Sequence, residues 1–241
     1  MRSIYNRAVQ VLIWLGLGNE KTDALMTGAK QLQDRGLERG TDCKTIGKVW
    51  MESRQNPQSD EGPVPNEWRH RGNDMRIGLY QLLGRSWFRR VWVLQEVASA
   101  RAALFVCGLK HVSANVFTIL ASLLRVHPGL HSQAVFDIIN SGLLSADQRQ
   151  HIQLDLYTLL IKFIKCEASD PRDRVFALLG ISRDANDSEM LFADYTKDLR
   201  EVIAITTKFL LSSAMDLEIS ADDVPNWTIS EFFSQIQSLP D

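Results

Sequence analysis

The sequence predicts an α/β fold in its first part, followed by a mostly α-helical C-terminal part. Residues 9–15 (VQVLIWL) are rich in β-branched side chains and run into a glycine turn, and residues 102–106 form a second apolar segment that ends at Cys107-Gly108. Later segments place their apolar residues at helical spacing instead. We therefore predict an α/β region with an incomplete sheet over residues 1–110, and a helical region over 111–241 packed on or next to it.

Helices are predicted where apolar residues recur every three or four positions. The segment "SDPRDRVFALLGIS" has the clearest boundaries, with Asp170 as N-cap, Pro171 at the first helical position and Gly180 just past the end. Residues 22–38 are predicted as a helix capped by Thr22 or Asp23. Further helices are predicted at 75–83, 87–98, 152–164 and 196–211. The polar, proline-containing stretch 53–74 is predicted to be a long surface loop.

The predicted helix 87–98 has two different faces. An apolar stripe follows i, i+4, i+7, i+11 spacing through Trp87, Val91, Leu94 and Ala98, and the opposite face carries Arg89, Trp92 and Glu96. A glutamate away from the core is ordinarily solvated, but a large aromatic side chain on the same face is seldom left wholly in water. Two interpretations stay open: Glu96 is a surface charge, or it lies in a cleft as the best candidate for a functional carboxylate.

Composition argues against several classes of function. The 27 basic and 29 acidic residues give no global charge bias, which disfavours nucleic-acid or membrane-surface binding driven by bulk electrostatics. No segment approaches the roughly 20 continuous apolar residues of a membrane span. Cys43, Cys107 and Cys166 have no C-x-x-C spacing, so neither a disulfide framework nor a zinc site is predicted. We expect a reduced, cytoplasmic protein.

Cofactor and metal motifs are incomplete. Gly16-x-Gly18 follows the first predicted strand, but the third glycine of a dinucleotide-binding turn is replaced by Lys21, which favours a plain strand-to-helix turn. The five histidines form no H-E-x-x-H pattern. No metal site and no resident cofactor are therefore predicted.

Three segments resemble one known family, the fungal heterokaryon incompatibility (HET) domain. They are "IYNRAVQVLIWLG" (4–16), "RSWFRRVWVLQEVASA" (85–100) with the following "VCG", and "DPRDRVFALLGIS" (170–182); "VPNW" (224–227) is similar to a stretch that often follows them. The resemblance implies non-self recognition between fungal cells, with growth arrest or programmed cell death as its outcome. It also implies partners among other HET-domain or incompatibility proteins, including self-association.

HET domains are in turn distantly similar to TIR domains, which implies a flavodoxin-like, three-layer α/β fold. Some TIR domains cleave NAD with a glutamate in a W-C-x-x-E motif, and Trp92-Val93-Leu94-Gln95-Glu96 has the same Trp-to-Glu spacing with valine in place of cysteine. The resemblance therefore implies a catalytic role for Glu96 and ligand-binding roles for Trp92 and Arg89. NAD would be a substrate in that case, not a cofactor.

The resemblance has one departure. The family's upstream strands, of the "YEALSYVWG" and "DALCINQ" kinds, have no counterpart before Val9. A sheet without them leaves apolar side chains in water at roughly 1.5–3 kcal/mol each, so we expect marginal stability or a partner along the open edge. Three hypotheses follow: an incompatibility protein, truncated and inactive in one version; a TIR-like NAD glycohydrolase using Glu96; and an interaction fragment that modulates full-length HET proteins.

Overall fold

A computed structural model describes residues 5, 7–38, 66–141, 154–163, 165–186, 188–211 and 228–237. Much of the predicted surface loop, Cys43 and the VPNW stretch lie outside these residues. By their contacts, the described residues divide into two compact units. The sheet unit draws on Ser3–Phe88 and Ser99–Leu143, and the helical unit on Arg89–Ala98 and Leu144–Asp241. The domain division predicted at residue 110 stays a prediction.

The sheet unit contains a small mixed sheet, which confirms the predicted α/β character of the first part. Strands β1 (Val11–Trp14), β2 (Ala103–Cys107) and β3 (Lys110–Ser113) lie in the order β1-β2-β3. β1 and β2 are parallel with Leu12 opposite Leu104, and β2 and β3 are antiparallel with Phe105 opposite Val112. The third strand was not predicted, because Lys-His-Val-Ser is short and contains a single apolar residue.

The helices of this unit are α1 (Glu20–Glu38), α2 (Asn66–Leu83), α4 (Ala114–Leu124) and α5 (Leu130–Ser141). The helix between α2 and α4 in the sequence, α3, is described with the helical unit. α1 packs on α2 and β3, and α4 packs on α5. The N-cap of α1 is Asn19, not Thr22 or Asp23, because its Oδ1 accepts hydrogen bonds from the N–H groups of Lys21 and Thr22 at 3.0 and 3.1 Å. α2 includes residues 66–74, which were predicted to belong to a loop.

One face of the sheet carries the core of this unit. Val11, Ile13, Phe105, Cys107 and Val112 are buried there. Five aromatic rings continue this core in edge and stacked contacts, with Phe105 and Phe117 centred 4.2 Å apart; the others are Trp87, Phe88 and Phe136. The opposite face of β1 is exposed at Leu12 and Trp14. The apolar strand β1 is therefore covered on one face and leaves apolar side chains exposed on the other.

The helical unit confirms the prediction of a mostly helical remainder. It contains most of α3 (Val93–Ser99), then α6 (Leu156–Lys162), α7 (Asp173–Leu179), α8 (Leu199–Leu211) and α9 (Ile229–Gln237). α6 packs on α7 and α9, and α8 packs on α9. Reciprocal side-chain caps begin α8, between Asp198 and Glu201, and α9, between Thr228 and Glu231.

The single helix predicted at 87–98 is not observed. A 3-10 helix spans Ser86–Arg89, the chain is extended at Arg90, and α3 begins only at Val93. This break changes the helical phase, so Trp87, Val91 and Leu94 are buried as predicted while Ala98 is exposed. No helix among the described residues is long and apolar enough to cross a membrane.

Candidate functional site

Two of the motifs that resemble the HET family contact each other in the helical unit. We call the contacts between residues 89–96 and 167–180 the motif junction. Its first part is a backbone bridge, in which the N–H of Glu167 donates to the carbonyl of Arg89 at 2.7 Å and the N–H of Val91 donates to the carbonyl of Glu167 at 3.0 Å. These two bonds hold Arg90 extended, which explains why the helix predicted through this segment is interrupted.

Trp92 is anchored by the second motif. Its indole Nε1 donates a hydrogen bond of 2.9 Å to Oδ2 of Asp173, at the first residue of α7. The other carboxylate oxygen of Asp173 accepts a hydrogen bond from the hydroxyl of Tyr195. Both oxygens of one carboxylate are therefore engaged by aromatic donors, and hydrogen bonds to a charged acceptor are stronger than those between neutral groups. The ring of Trp92 is half-buried in this arrangement.

Gln95 makes the buried contact of the junction. Its Nε2 donates to the carbonyl oxygen of Ala177 in α7 at 3.0 Å, and its side chain is almost wholly buried. Gly180 lies against the same amide, because a Cβ at that position would stand 2.9 Å from Gln95 Nε2. Gly180 has a φ of −70°. Glycine therefore leaves room here for the close approach of Gln95, in addition to its predicted place just past the end of the helix.

Arg172 holds the loop that carries Tyr195. Its guanidinium forms a forked ion pair with Asp170, with Nη2 2.6 Å from Oδ2, and Nη1 donates to the carbonyls of Tyr195 and Lys197. Arg172 also lies over the Tyr195 ring, 5.3 Å from its centroid. Asp170 is not the N-cap of α7 as predicted; it accepts from the backbone N–H of Arg172 in a turn one step earlier.

The electrostatics of this loop follow from these contacts. The hydrogen bonds from Arg172 lower the pKa of Asp170, and the same pairing raises the pKa of Arg172. Partial burial, together with the bond to Asp173, raises the pKa of Tyr195 to about 12. Both aspartates thus serve as acceptors for fixed donors, and Tyr195 is held in its neutral, donating form at neutral pH.

The three predicted site residues occupy different environments. Glu96 lies in α3 with its side chain half-buried, and its N–H donates to the carbonyl of Trp92 at 3.4 Å, which places the two residues on one helical turn. Arg89 is exposed, and its Nε forms a 2.9 Å ion pair with Glu167. The side chains of that pair are more than half exposed, so it contributes about 0–1 kcal/mol. The functional roles of Glu96, Trp92 and Arg89 stay predictions.

Asp173 and Tyr195 were not singled out from the sequence. Asp173 was treated as part of a helix start, and Tyr195 lies in a connecting segment without periodicity. Asp173 lies 81 residues from Trp92 and 22 residues from Tyr195 in the sequence. The adjacent charges in Asp-Pro-Arg-Asp were the available signal, because a loop with several fixed charges in a row commonly holds side-chain partners.

The glycine turn after β1 is held in place by hydrogen bonds from other segments of the chain. The N–H of Gly108 donates to the carbonyl of Gly16 at 2.9 Å, and Gly16 has a φ of +100°, which favours glycine. Arg85 donates from Nη2 to the carbonyl of Leu17 at 3.0 Å. Asn19 occupies the N–H groups at the start of α1. The side chain of Asn19 thus accepts from the N–H groups of Lys21 and Thr22, which a dinucleotide site would present to a phosphate. Among the described residues, no group of three His, Cys, Asp or Glu side chains could hold a metal ion.

The protein has a unit with a small mixed sheet and a helical unit. Within the helical unit, two motifs that are distant in the sequence contact each other. Comparison with known proteins finds similarity to one family. Residues 1–96 match the family described as "Heterokaryon incompatibility protein (HET)". The chain is also 23% identical over 248 residues to "Heterokaryon incompatibility protein 6, OR allele" of Neurospora crassa. These findings support the HET-domain protein that the motifs predicted.

The similarity to the Neurospora protein is long in this chain and partial in the relative. It covers 88% of this chain and 35% of the relative, so the chain spans about a third of that protein's length. No solved structure matches the chain. The likeness to TIR domains thus stays a prediction.

Proposed function

We propose that this protein acts in heterokaryon incompatibility, the non-self recognition of fungal cells, and that its activation stops growth or kills the cell. The observation that supports this proposal is the motif junction. Two segments that resemble the HET family, residues 85–100 and 170–182, are joined there by the Trp92–Asp173 and Gln95–Ala177 hydrogen bonds. The matched family and the name of the Neurospora relative point to the same role.

The test is inducible expression of the chain in a fungal host, with colony viability and vital-dye uptake measured after induction. We expect growth arrest or death in proportion to the abundance of the protein, which an immunoblot measures. Soluble protein at high abundance in cells that grow normally would contradict the proposal. An uninduced culture of the same strain controls for the host background.

A second candidate function is cleavage of NAD. Glu96 is half-buried on the same helical turn as Trp92, and the indole of Trp92 is fixed by Asp173. A carboxylate one helical turn from a fixed aromatic ring would be suited to stabilise positive charge on a ribose while the bond to nicotinamide breaks. Water would then add to the ribose carbon and nicotinamide would leave, giving ADP-ribose.

The two candidates differ in their response to a change at Glu96. Glu96→Gln keeps the shape of the side chain and removes its charge, and Glu189→Gln makes the same change at an exposed position of the helical unit. Under the NAD hypothesis, cellular NAD falls with wild type and with the Glu189 variant, but not with the Glu96 variant. Cell death that is unchanged by Glu96→Gln would refute catalysis by Glu96 and leave the incompatibility proposal standing.

A further inference from the structure

Basic side chains from three segments lie around the backbone bridge of the motif junction. Arg89 and Arg90 come from the first motif, and Lys165 lies two residues before Glu167, the bridging residue. Arg174 lies in the first turn of α7. We call these four basic residues the basic cluster. All of them belong to the helical unit, so the cluster is formed within one compact part of the molecule.

The bridge holds the members of the cluster close together. Two backbone hydrogen bonds pair Arg90 with Glu167, so the chain around Lys165 runs next to Arg90. Burial raises the pKa of the Cys166 thiol to about 12, and the positive charge of Arg174 opposes this rise. Because such charge effects act over short distances, Arg174 lies near residues 165–167 as well.

The positive charge of the cluster is neutralised only in part. Glu167 forms a 2.9 Å ion pair with Arg89. Arg90, Lys165 and Arg174 form no ion pair with any carboxylate that the structure describes. Arg90 and Lys165 are exposed, whereas Arg174 is half-buried. A guanidinium that is partly withdrawn from water is normally paired with an anion, so the cluster has the chemistry of an anion site.

The aspartates next to Arg174 in the sequence do not fill this site. Asp170 is paired with Arg172, and both carboxylate oxygens of Asp173 accept hydrogen bonds from neutral aromatic donors. Neither aspartate forms an ion pair with Arg174. The cluster therefore keeps charged donors that a ligand can reach.

We propose that the basic cluster binds the diphosphate group of inorganic pyrophosphate or of a nucleotide. A guanidinium presents paired N–H donors that match phosphate oxygens, and a lysine ammonium adds a mobile point charge. Several cations at one place suit a ligand with several negative charges better than a single carboxylate. Trp92 follows Arg90 by two residues, and its half-buried ring offers an aromatic surface to the base of a nucleotide.

This inference goes beyond the proposed function and does not depend on it, because it concerns binding by the purified protein. The test is isothermal titration calorimetry of the full chain at low salt, with inorganic phosphate, inorganic pyrophosphate and ADP as separate ligands. The pyrophosphate and ADP titrations distinguish the two sources of the diphosphate. Tighter binding of ADP assigns the site to a nucleotide, and equal or weaker binding of ADP assigns it to the free diphosphate.

Four variants locate the binding site. Arg90→Gln with Lys165→Gln removes two charges at exposed positions, and Arg90→Gln with Arg174→Gln includes the half-buried member. Glu167→Gln removes the negative charge within the cluster. Arg183→Gln removes a charge at an exposed position of the same unit outside the cluster and is the matched control. Circular dichroism checks the fold of each variant, and the exposed pair keeps the test valid if the Arg174 variant unfolds.

We expect pyrophosphate to bind the wild type and the Arg183 variant equally, and to bind both double variants at least about tenfold more weakly. Glu167→Gln should tighten binding about threefold or more, because the ligand no longer meets a negative charge. Pyrophosphate should bind more tightly than phosphate, and added salt should weaken its binding.

Three results would overturn the inference. The first is a wild type that binds neither pyrophosphate nor ADP. The second is equal affinity of the wild type and the exposed double variant, because the ligand would then lie elsewhere. The third is weaker binding by Glu167→Gln, because a ligand held by the positive charge of the cluster gains from the loss of that carboxylate.

Discussion

The shared carboxylate of Asp173 allows a sharp test of the motif junction by a double-mutant cycle. Trp92 Nε1 donates to Oδ2 and the Tyr195 hydroxyl donates to Oδ1, so both carboxylate oxygens are occupied. Asp173→Asn keeps the shape of the side chain but leaves a single acceptor oxygen, and one of the two donors must lose its partner. A hydrogen bond to a charged group contributes about 1.5–3 kcal/mol. We expect Asp173→Asn to lower the free energy of unfolding by about 2 kcal/mol.

Tyr195→Phe removes one of the two donors. Because half of the Tyr195 side chain is exposed, water replaces part of the lost bond, and we expect a cost of about 1 kcal/mol. In the Tyr195→Phe background, the asparagine can turn its single oxygen towards Trp92, so Asp173→Asn should then cost about 1 kcal/mol less than in the wild type.

The assay is equilibrium unfolding in urea, followed by circular dichroism, for the wild type, both single variants and the double variant. A change of the midpoint at constant slope reports stability. Costs that add to within about 0.3–0.5 kcal/mol would refute the reasoning, because additive effects mean that the two donors do not share an acceptor.

Three further predictions concern the same unit. Gly180→Ala is expected to destabilise the protein by about 1–3 kcal/mol, because its Cβ would stand 2.9 Å from Gln95 Nε2. In a Gln95→Ala background the same substitution should cost less free energy of unfolding. Equal costs in the two backgrounds, measured by urea unfolding, would contradict the contact. The pKa of Tyr195 is raised to about 12 in the folded state, so its contribution is complete below its unfolded value of about 10 and is lost as the pH rises towards 12. Wild type should therefore lose stability more steeply than Tyr195→Phe between these pH values, and parallel curves would argue against the shift. Burial raises the pKa of the Cys166 thiol to about 12, so iodoacetamide should modify Cys166 at neutral pH only after unfolding. Mass spectrometry of the labelled peptide measures this modification. Rapid labelling of the native protein would contradict the burial of Cys166.

The parts of the fold that could be predicted from the sequence are those set by local pattern. The apolar segments gave β1 and β2, and helical spacing gave most of α1, α7 and α8, because burial of one face governs each of them. β3 escaped because its four residues are too few and too polar for a pattern. The sequence also could not predict which face of β1 is buried, because a continuous apolar run does not show which of its side chains are covered.

The candidate site was predictable only in part, for a related reason. Trp92 and Glu96 stood out by residue type and spacing, but the partners that fix Trp92 come from distant segments. The backbone of Glu167 interrupts the helix at Arg90, a tertiary contact that overrides the local periodicity. Gly180 was correctly predicted to lie just past the end of the helix, but its backbone conformation is one that other residues also adopt. Its small size instead makes room for the side chain of Gln95.

The central claim is that the motif junction is required for the incompatibility function that we propose. The most direct measurement is the viability of a fungal strain that expresses Asp173→Ala, compared at equal protein abundance with strains that express the wild type or the exposed-site control Glu189→Gln. We expect growth arrest or death with the wild type and the control, and recovery of growth with Asp173→Ala. Equal loss of viability in all three strains would contradict it, because the function would then be independent of the contacts that join the two motifs.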